Sequence, residues 1–340
     1  MSEQIFINRL HEQGLINKDR VIVTPLTGGV SCQILLLDDG NRRFVLKSAL
    51  EKLKVKDDWF ADVKRNKTEQ LYLSYVGEFL PNSVPEIIYQ DEELNFFCME
   101  MLENGMIDWK KQLLRGKYRQ KDAVSVGELL AQIHKRSFED EIAKKTFNTL
   151  GNFHQLRLEP YLLKTGERHP KLQSYFQIET QRLSATSTCL VHGDFSPKNI
   201  MVSPNRMVVL DCEVAWFGDP VFDMAFLLNH FLLKALFLSD HSVGLLKMAT
   251  NIWDSYQNKA DVIIDTSFEK RLCHLLPMLM LSRVDGKSPV EYLNPDQSDI
   301  IRKFVYRMIP TSPLKLEELL IQWTTFINYE TPKDNDYKVY

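Results

Sequence analysis

The stretch LVHGDFSPKNIMV, residues 190–202, sets Asp194 directly after His192 and Gly193, with Asn199 five positions on. Soon after, MVVLDCEVAWFGDP (207–220) ends an apolar run on Asp211. Carboxylate and amide oxygens are the hard donors that magnesium prefers. An Asp on a rigid loop can orient a hydroxyl or take its proton. Phosphoryl transfer demands little more than such positioning and the neutralisation of concentrated negative charge. The pattern therefore predicts that Asp194 orients or deprotonates an acceptor hydroxyl, and that Asn199 and Asp211 hold magnesium. Each residue also has a plain structural use: Asp194 can cap a turn, Asn199 can start a strand and Asp211 can end one. The joint spacing and the strand context favour the chemical role.

Elements must position these groups. Residues 4–14 read as a short amphipathic helix. From 21 to 48 the pattern turns to strands, VIVTPL and then CQILLLDDGNRRFVLKS, with Asp38, Asp39, Gly40 and Asn41 supplying hairpin-turn chemistry. Residues 58–78 read as a helix, and EIIYQ and NFFCMEM return to strand composition. After a hinge at Glu103-Asn104-Gly105, helical periodicity takes over. VSVGELLAQIHKR (124–136) carries Val126, Leu129, Leu130 and Ile133 at helix spacing. Further helices are expected over 221–238, 242–258, 267–284, 296–308 and 314–328, with short strands within 188–211. The fold class is α+β, with a β-rich domain over 1–102 and a larger, mostly helical one over 103–340.

The composition sets bounds. A chain of 340 residues, 44% hydrophobic and 26% charged, can bury a substantial core. A net charge of −3 and a pI near 6.3 give no footing for nucleic acid. The basic run KRNK (64–67) reads as a solvated helix face. Five scattered cysteines without CxxC spacing argue against a disulfide framework and a structural zinc site. MAFLLNHFLLKALFL (224–238) is shorter than the roughly 20 residues of a membrane span, and it carries Asn229, His230 and Lys234. It reads as a buried helix, and the N-terminus lacks the pattern of a signal peptide. The expected compartment is the cytoplasm, and no membrane partner is expected.

HGDFSPKNI and LDCEVAWFGDPVFDMA resemble the aminoglycoside phosphotransferase and choline kinase-like family, over approximately residues 20–240. That resemblance implies a bilobal protein-kinase-like fold, with ATP and magnesium as cofactors. It implies a glycine-containing loop over the phosphates at LTGGVSC (26–32), with Gly28, Gly29 and Ser31 as contacts. Lys47, ending RFVLK, matches the strand lysine that meets the α/β phosphates. Its partner is expected to be Glu69, with Glu78 a weaker substitute. CMEML (98–102) matches the strand whose backbone pairs with adenine, through Glu100 and Leu102. Asp223 is implied to brace the catalytic loop, and His192 and His134 to support it. Asp219 and Pro220 shape the start of the following helix. Glu213 is the next acid after Asp211 and a further metal candidate.

The departures from protein kinases narrow the acceptor. Gly193 stands where they place an arginine able to pair with a phosphorylated activation loop. Only nine residues separate Asp211 from Val221, which leaves no room for a peptide-docking segment. The expected acceptor is a hydroxyl on a small molecule, sugar-like or an amino-alcohol. FHQLRLEPYL (153–162) and LMLSRVDGKSPVEYL (279–293) are candidate lining segments, in which Arg283, with Arg157 or Asp285, grips the acceptor. Arg283 also has a plainer use, answering a helix dipole. A nucleotide-binding pseudokinase is the alternative, although Lys47, Asp194, Asn199 and Asp211 are all present. A purely structural helical protein is a further alternative, and a protein kinase is a weaker one. Oligomeric state is open.

Overall fold

The computed structural model describes residues 3–26, 32–50 and 65–331. The chain divides into two compact units, one formed by Met1–Ile107 with Met201–Ala215, the other by Asp108–Ile200 with Trp216–Tyr340. The sequence places every residue after 102 in the second domain. In the structure the segment carrying Asp211 clusters with the first unit.

In the first unit, helix α1 (Glu3–Glu12) covers an antiparallel sheet in the order β1 (Ile22–Pro25), β2 (Cys32–Asp38), β3 (Arg43–Ala49), β5 (Phe96–Glu100) and β4 (Ile87–Asp91). The expected hairpin turn forms between β2 and β3. Asp38 accepts from the Gly40 N–H and Asp39 from the Asn41 and Arg42 N–H groups, while Gly40 takes a positive φ of 85°. Side chains alternate across a strand, so register decides which face each one joins. Leu35, Leu37, Phe44, Leu46, Phe96 and Cys98 share one face and pack on Phe6 and Leu10 of α1. Each fully buried Leu or Phe contributes about 1.5–3 kcal/mol. One position along from Leu46, Lys47 takes the opposite face, paired with Ile34 and Phe97.

The helix α2 is described over Arg65–Gly77 and buries Glu69, Tyr72, Leu73 and Val76, a spacing that keeps one stripe facing inward. Its start corrects one expectation. Arg65 and Asn66 of KRNK are buried, and only Lys67 of the described part is exposed.

The second unit is built around the helix Val221–Phe237, buried continuously from Val221 to Leu236. The helices Ser242–Lys259 and Phe268–Asp285 pack against it, and Gln120–Ser137 packs on Ser242–Lys259. Gly127 permits that last approach, because a Cβ there would lie 2.1 Å from Ser255 Oγ and 2.4 Å from the Ile252 carbonyl. Helices Pro295–Met308 and Leu316–Glu330 complete the C-terminal portion. Among the described residues no helix is long and apolar enough to cross a membrane.

The helices Glu141–Thr146 and Gln173–Ala185 are not anticipated from sequence, and two further unanticipated features bear on the site. A three-residue strand, Trp216–Gly218, pairs antiparallel with Cys189–Val191; three residues are too few to show a period. His154–Leu163 forms a ten-residue π-helix with Pro160 inside it. Its i→i+5 bonding lies outside the 3.6-residue period by which helices are read.

Candidate active site

The turn after strand Cys189–Val191 delivers Asp194. Gly193 takes φ 77°, and the Asp223 carboxylate accepts from the N–H groups of His192 (2.7 Å) and Gly193 (2.9 Å). Asp223 comes from the first turn of the buried helix Val221–Phe237 and also meets His134 Nε2 at 3.3 Å. His134 Nδ1 lies 2.9 Å from the Tyr256 hydroxyl, so buried side chains of three helices hold the turn. His192 Nδ1 accepts the Asp194 N–H at 3.1 Å, a bracing contact within the loop.

The Asp194 side chain is buried and densely engaged. Asn199 Nδ2 donates to its Oδ2 (2.8 Å) and to its carbonyl (3.0 Å), which leaves the Asn199 amide oxygen as the atom suited to a cation. Two cations pair with the same Oδ2, Arg157 Nη2 at 3.0 Å and Lys198 Nζ at 2.9 Å. Lys198 lies inside the motif, at i+4 from Asp194, and that spacing was the signal for it. Arg157 reaches the loop from the π-helix and also donates through Nε to the Gly193 carbonyl.

In the first unit Lys47 Nζ lies 2.7 Å from both Glu69 Oε2 and Asp211 Oδ1. Burial alone would lower the Lys47 pKa, but Asp211 and Glu69 outweigh it and hold the ammonium well above its ordinary range. Burial raises the Glu69 carboxyl to about 7, against the pull of Lys47. Asp211 takes φ 62°, in the left-handed region that non-glycine residues seldom occupy. Such outliers gather at functional sites, where the surroundings hold them in place.

Glu213, the further metal candidate, is engaged by protein groups. Its Oε2 pairs with the buried Arg65 Nε at 3.0 Å and accepts from the Cys32 thiol at 3.7 Å. Arg65 went unnoticed because it sits in a run that reads as surface. All five cysteines are buried and free, and burial pushes Cys32 up to about 12.

Of the expected nucleotide contacts, Gly28, Gly29 and Ser31 lie outside the described residues. Glu100 ends β5, where its carboxylate takes the Arg206 guanidinium at 2.6 and 3.0 Å and its N–H goes to the Glu86 carbonyl. Leu102 follows, half-buried.

The two expected acceptor segments lie side by side in the second unit. Ser282 Oγ donates to the Tyr161 carbonyl at 2.6 Å and the Lys287 N–H to the Pro160 carbonyl at 3.0 Å. Arg283 is buried, donates to the Tyr161 hydroxyl at 3.0 Å and stacks over that ring, as Arg157 does. Burial would raise the Tyr161 phenol, yet Arg283 and Arg157 bring it below its ordinary pKa. Asp285 is engaged elsewhere, by a bidentate Arg302 (2.7 and 2.8 Å) and by His169 at 2.9 Å.

A small antiparallel sheet with a mostly helical remainder, a buried Asp on a braced turn and a Lys–Glu pair under the sheet define the protein-kinase-like phosphotransferase class. The chain belongs to the phosphotransferase enzyme family, whose model matches residues 22–250. It is similar to the methylthioribose kinase of Bacillus cereus (strain AH820), with 26% identity over 278 residues, 72% of this chain and 69% of the relative. Its fold resembles that of an amicoumacin kinase in complex with AMP-PNP, Ca2+ and Ami, with TM-score 0.54 and 16% identity over 94% of this chain and 97% of the other. It also resembles APH(2'')-IIa in a ternary complex with streptomycin and ATP, with TM-score 0.50 and 17% identity over 90% and 96%. The relatives are kinases of small molecules, and this chain is an enzyme of that kind.

Proposed function

We propose that the protein transfers the γ-phosphoryl group of ATP to a hydroxyl of a small sugar-like or amino-alcohol acceptor. The observation that carries this reading is the Asp194 side chain, buried and engaged by Asn199, Arg157 and Lys198 on a turn clamped by Asp223. As the acceptor oxygen bonds to the γ-phosphorus, Asp194 takes its proton and ADP leaves with the cleaved bond's electrons. Lys47, steadied by Glu69, balances charge on the α/β phosphates, for which Gly28, Gly29 and Ser31 are the further proposed contacts. The adenine lies along the backbone of Glu100 and Leu102.

The donors fit a hard divalent cation. Among the described residues no group of three or more acidic, histidine or cysteine side chains is placed to hold a metal by itself. Asp211 nevertheless offers a carboxylate oxygen and Asn199 an amide oxygen, the hard donors magnesium takes alongside phosphate oxygens. Asn199 and Asp211 are the proposed magnesium ligands; Glu213 has one oxygen committed to Arg65. Bound magnesium supplies neutralisation of phosphate charge. The protein is assigned to the cytoplasm, with no nucleic-acid or membrane partner.

Mass spectrometry of a metabolite panel incubated with MgATP tests the reading. A product heavier by one phosphoryl group, formed by wild type and absent with Asp194→Asn, is expected. Nucleotide binding without any transferred phosphoryl group would support the pseudokinase alternative instead.

A further inference from the structure

The second unit holds a cluster of cations around Tyr161, Phe226 and Tyr292 that bracing of the loop does not explain. Arg157 and Arg283 both stack on the Tyr161 ring, at 5.5 and 5.6 Å from its centre. Arg157 also lies over Phe226, at 5.9 Å, and His230 packs on the same ring at 5.6 Å. One helical turn past His230, Lys234 lies over Tyr292 at 5.1 Å. Arg157 and Lys198 share Asp194, and Lys110 pairs with Glu291.

Two buried cations are left over. Lys234 is fully buried, and among the described residues its ammonium hydrogen-bonds only to the His230 carbonyl of its own helix, at 3.4 Å. Arg283 bonds to the Tyr161 hydroxyl and to Ser288, and among the described residues it has no carboxylate within ion-pair distance. Its Nε is buried with no hydrogen-bond partner among the described residues, as is the Tyr292 hydroxyl. Burying an ammonium with no anion beside it is costly, and a protein keeps such a group when something else pairs with it. Burial, with Lys110 and Arg283 nearby, lowers Lys234 to about 7. Glu291 and Asp108 pull the other way without offsetting this, and neither forms an ion pair with it. His230 is lowered by burial and then by Lys234 and Arg283. An incoming anion would restore the charged form. A cationic acceptor would be repelled.

We propose that the acceptor carries an anionic group, a carboxylate or a phosphate, which Lys234 and Arg283 bind while its hydroxyl lies against Asp194. The proposal rests on the phosphotransferase reading of Asp194, and within the sugar-like or amino-alcohol class it selects acidic sugar-like acceptors and excludes amino-alcohols and neutral sugars. Tyr161 joins the two ends, since its ring carries both the arginine bound to Asp194 and the arginine bound to the anion.

Calorimetric titration of the full chain without ATP is the test. The probes are gluconate, glucose 6-phosphate, inorganic phosphate, glucose and choline, on wild type and on Lys234→Met and Arg283→Gln. Gluconate or glucose 6-phosphate is expected to bind at least about tenfold tighter than glucose, and the two acids separate the carboxylate from the phosphate source. Both variants are expected to lose that preference. The melting temperature of each shows that it folds, and either one suffices. Glucose or choline binding as well as the acids overturns the proposal, as does an acid preference that survives in a folded variant, or no binding by any anion. Acid binding lost in the variants, with no phosphoryl transfer from ATP, would overturn the kinase reading and leave this site standing. Transfer to neutral or cationic acceptors without acid preference would do the reverse.

Discussion

At the scale of the residue, the proposed chemistry rests on Asp194 and, beside Lys47, on Asp211. Asp194 is buried among donors that fix its orientation, and a proton acceptor gains most from that. Asp194→Asn should lower turnover by at least about 10²-fold while MgATP affinity stays near wild type, as read by initial rates and nucleotide titration. Near-wild-type turnover would remove Asp194 from the reaction. Lys47 is the second test. It touches Glu69 and Asp211 at once, so it and Glu69 should act as a unit. A double-mutant cycle of Lys47→Ala and Glu69→Gln on kcat/KM for ATP should show a coupling of about 0.5–3 kcal/mol. Simple additivity would mean that the ion pair has no part in holding the phosphates.

At the scale of the element, the π-helix His154–Leu163 and the end of helix Phe268–Asp285 are stitched together by backbone. Gly286 sits at that seam. A Cβ there would lie 2.4 Å from the Ser282 carbonyl and 3.1 Å from the Pro160 carbonyl, and neither backbone group can turn aside. Gly286→Ala should therefore cost about 1–3 kcal/mol in urea unfolding. It should also raise the acceptor KM, because Arg157 and Arg283 ride on the two joined elements, with ATP binding unaffected. An unchanged unfolding midpoint would show that the seam yields freely. Arg157 illustrates how an element serves a residue: the widened π turn carries it to both Gly193 and Asp194.

At the scale of the whole molecule, the buried Lys234 ties stability to pH. Its ordinary pKa of 10.5 falls to about 7 in the folded protein, through burial first and then Lys110 and Arg283, against the opposing pull of Glu291 and Asp108. Above 10.5 the group is neutral in both states and costs nothing. As pH falls, the unfolded chain takes the proton first, so the folded state loses ground until it too is protonated near 7. Stability should therefore rise between pH 7 and 10.5 relative to Lys234→Met, by on the order of a few kcal/mol. Without ligand, the Met variant should melt higher at pH 7. Parallel pH profiles for the two proteins, by thermal unfolding, would show that the ammonium is not buried in solution.

The motif residues were legible from sequence because their chemistry is local. HGD-x-x-x-x-N needs only a turn and a strand to present Asp194 and Asn199, and period-two alternation in RFVLK already puts Lys47 and Leu46 on opposite faces. The helix Val221–Phe237 was legible too, since its length and its polar interruptions suit a core and not a membrane. What tertiary structure alone decided is who answers each charge. Arg65 looked solvated until packing buried it against Glu213. Arg157 meets Asp194 from the π-helix, an element well separated in sequence from the motif that carries Asp194 and Lys198. Lys234 and Arg283, on different helices, come to share one buried region in which Glu291 and Asp108 only partly answer their charge. Sequence fixes neither burial nor long-range pairing for a single charged side chain, because both depend on what the rest of the chain brings alongside it.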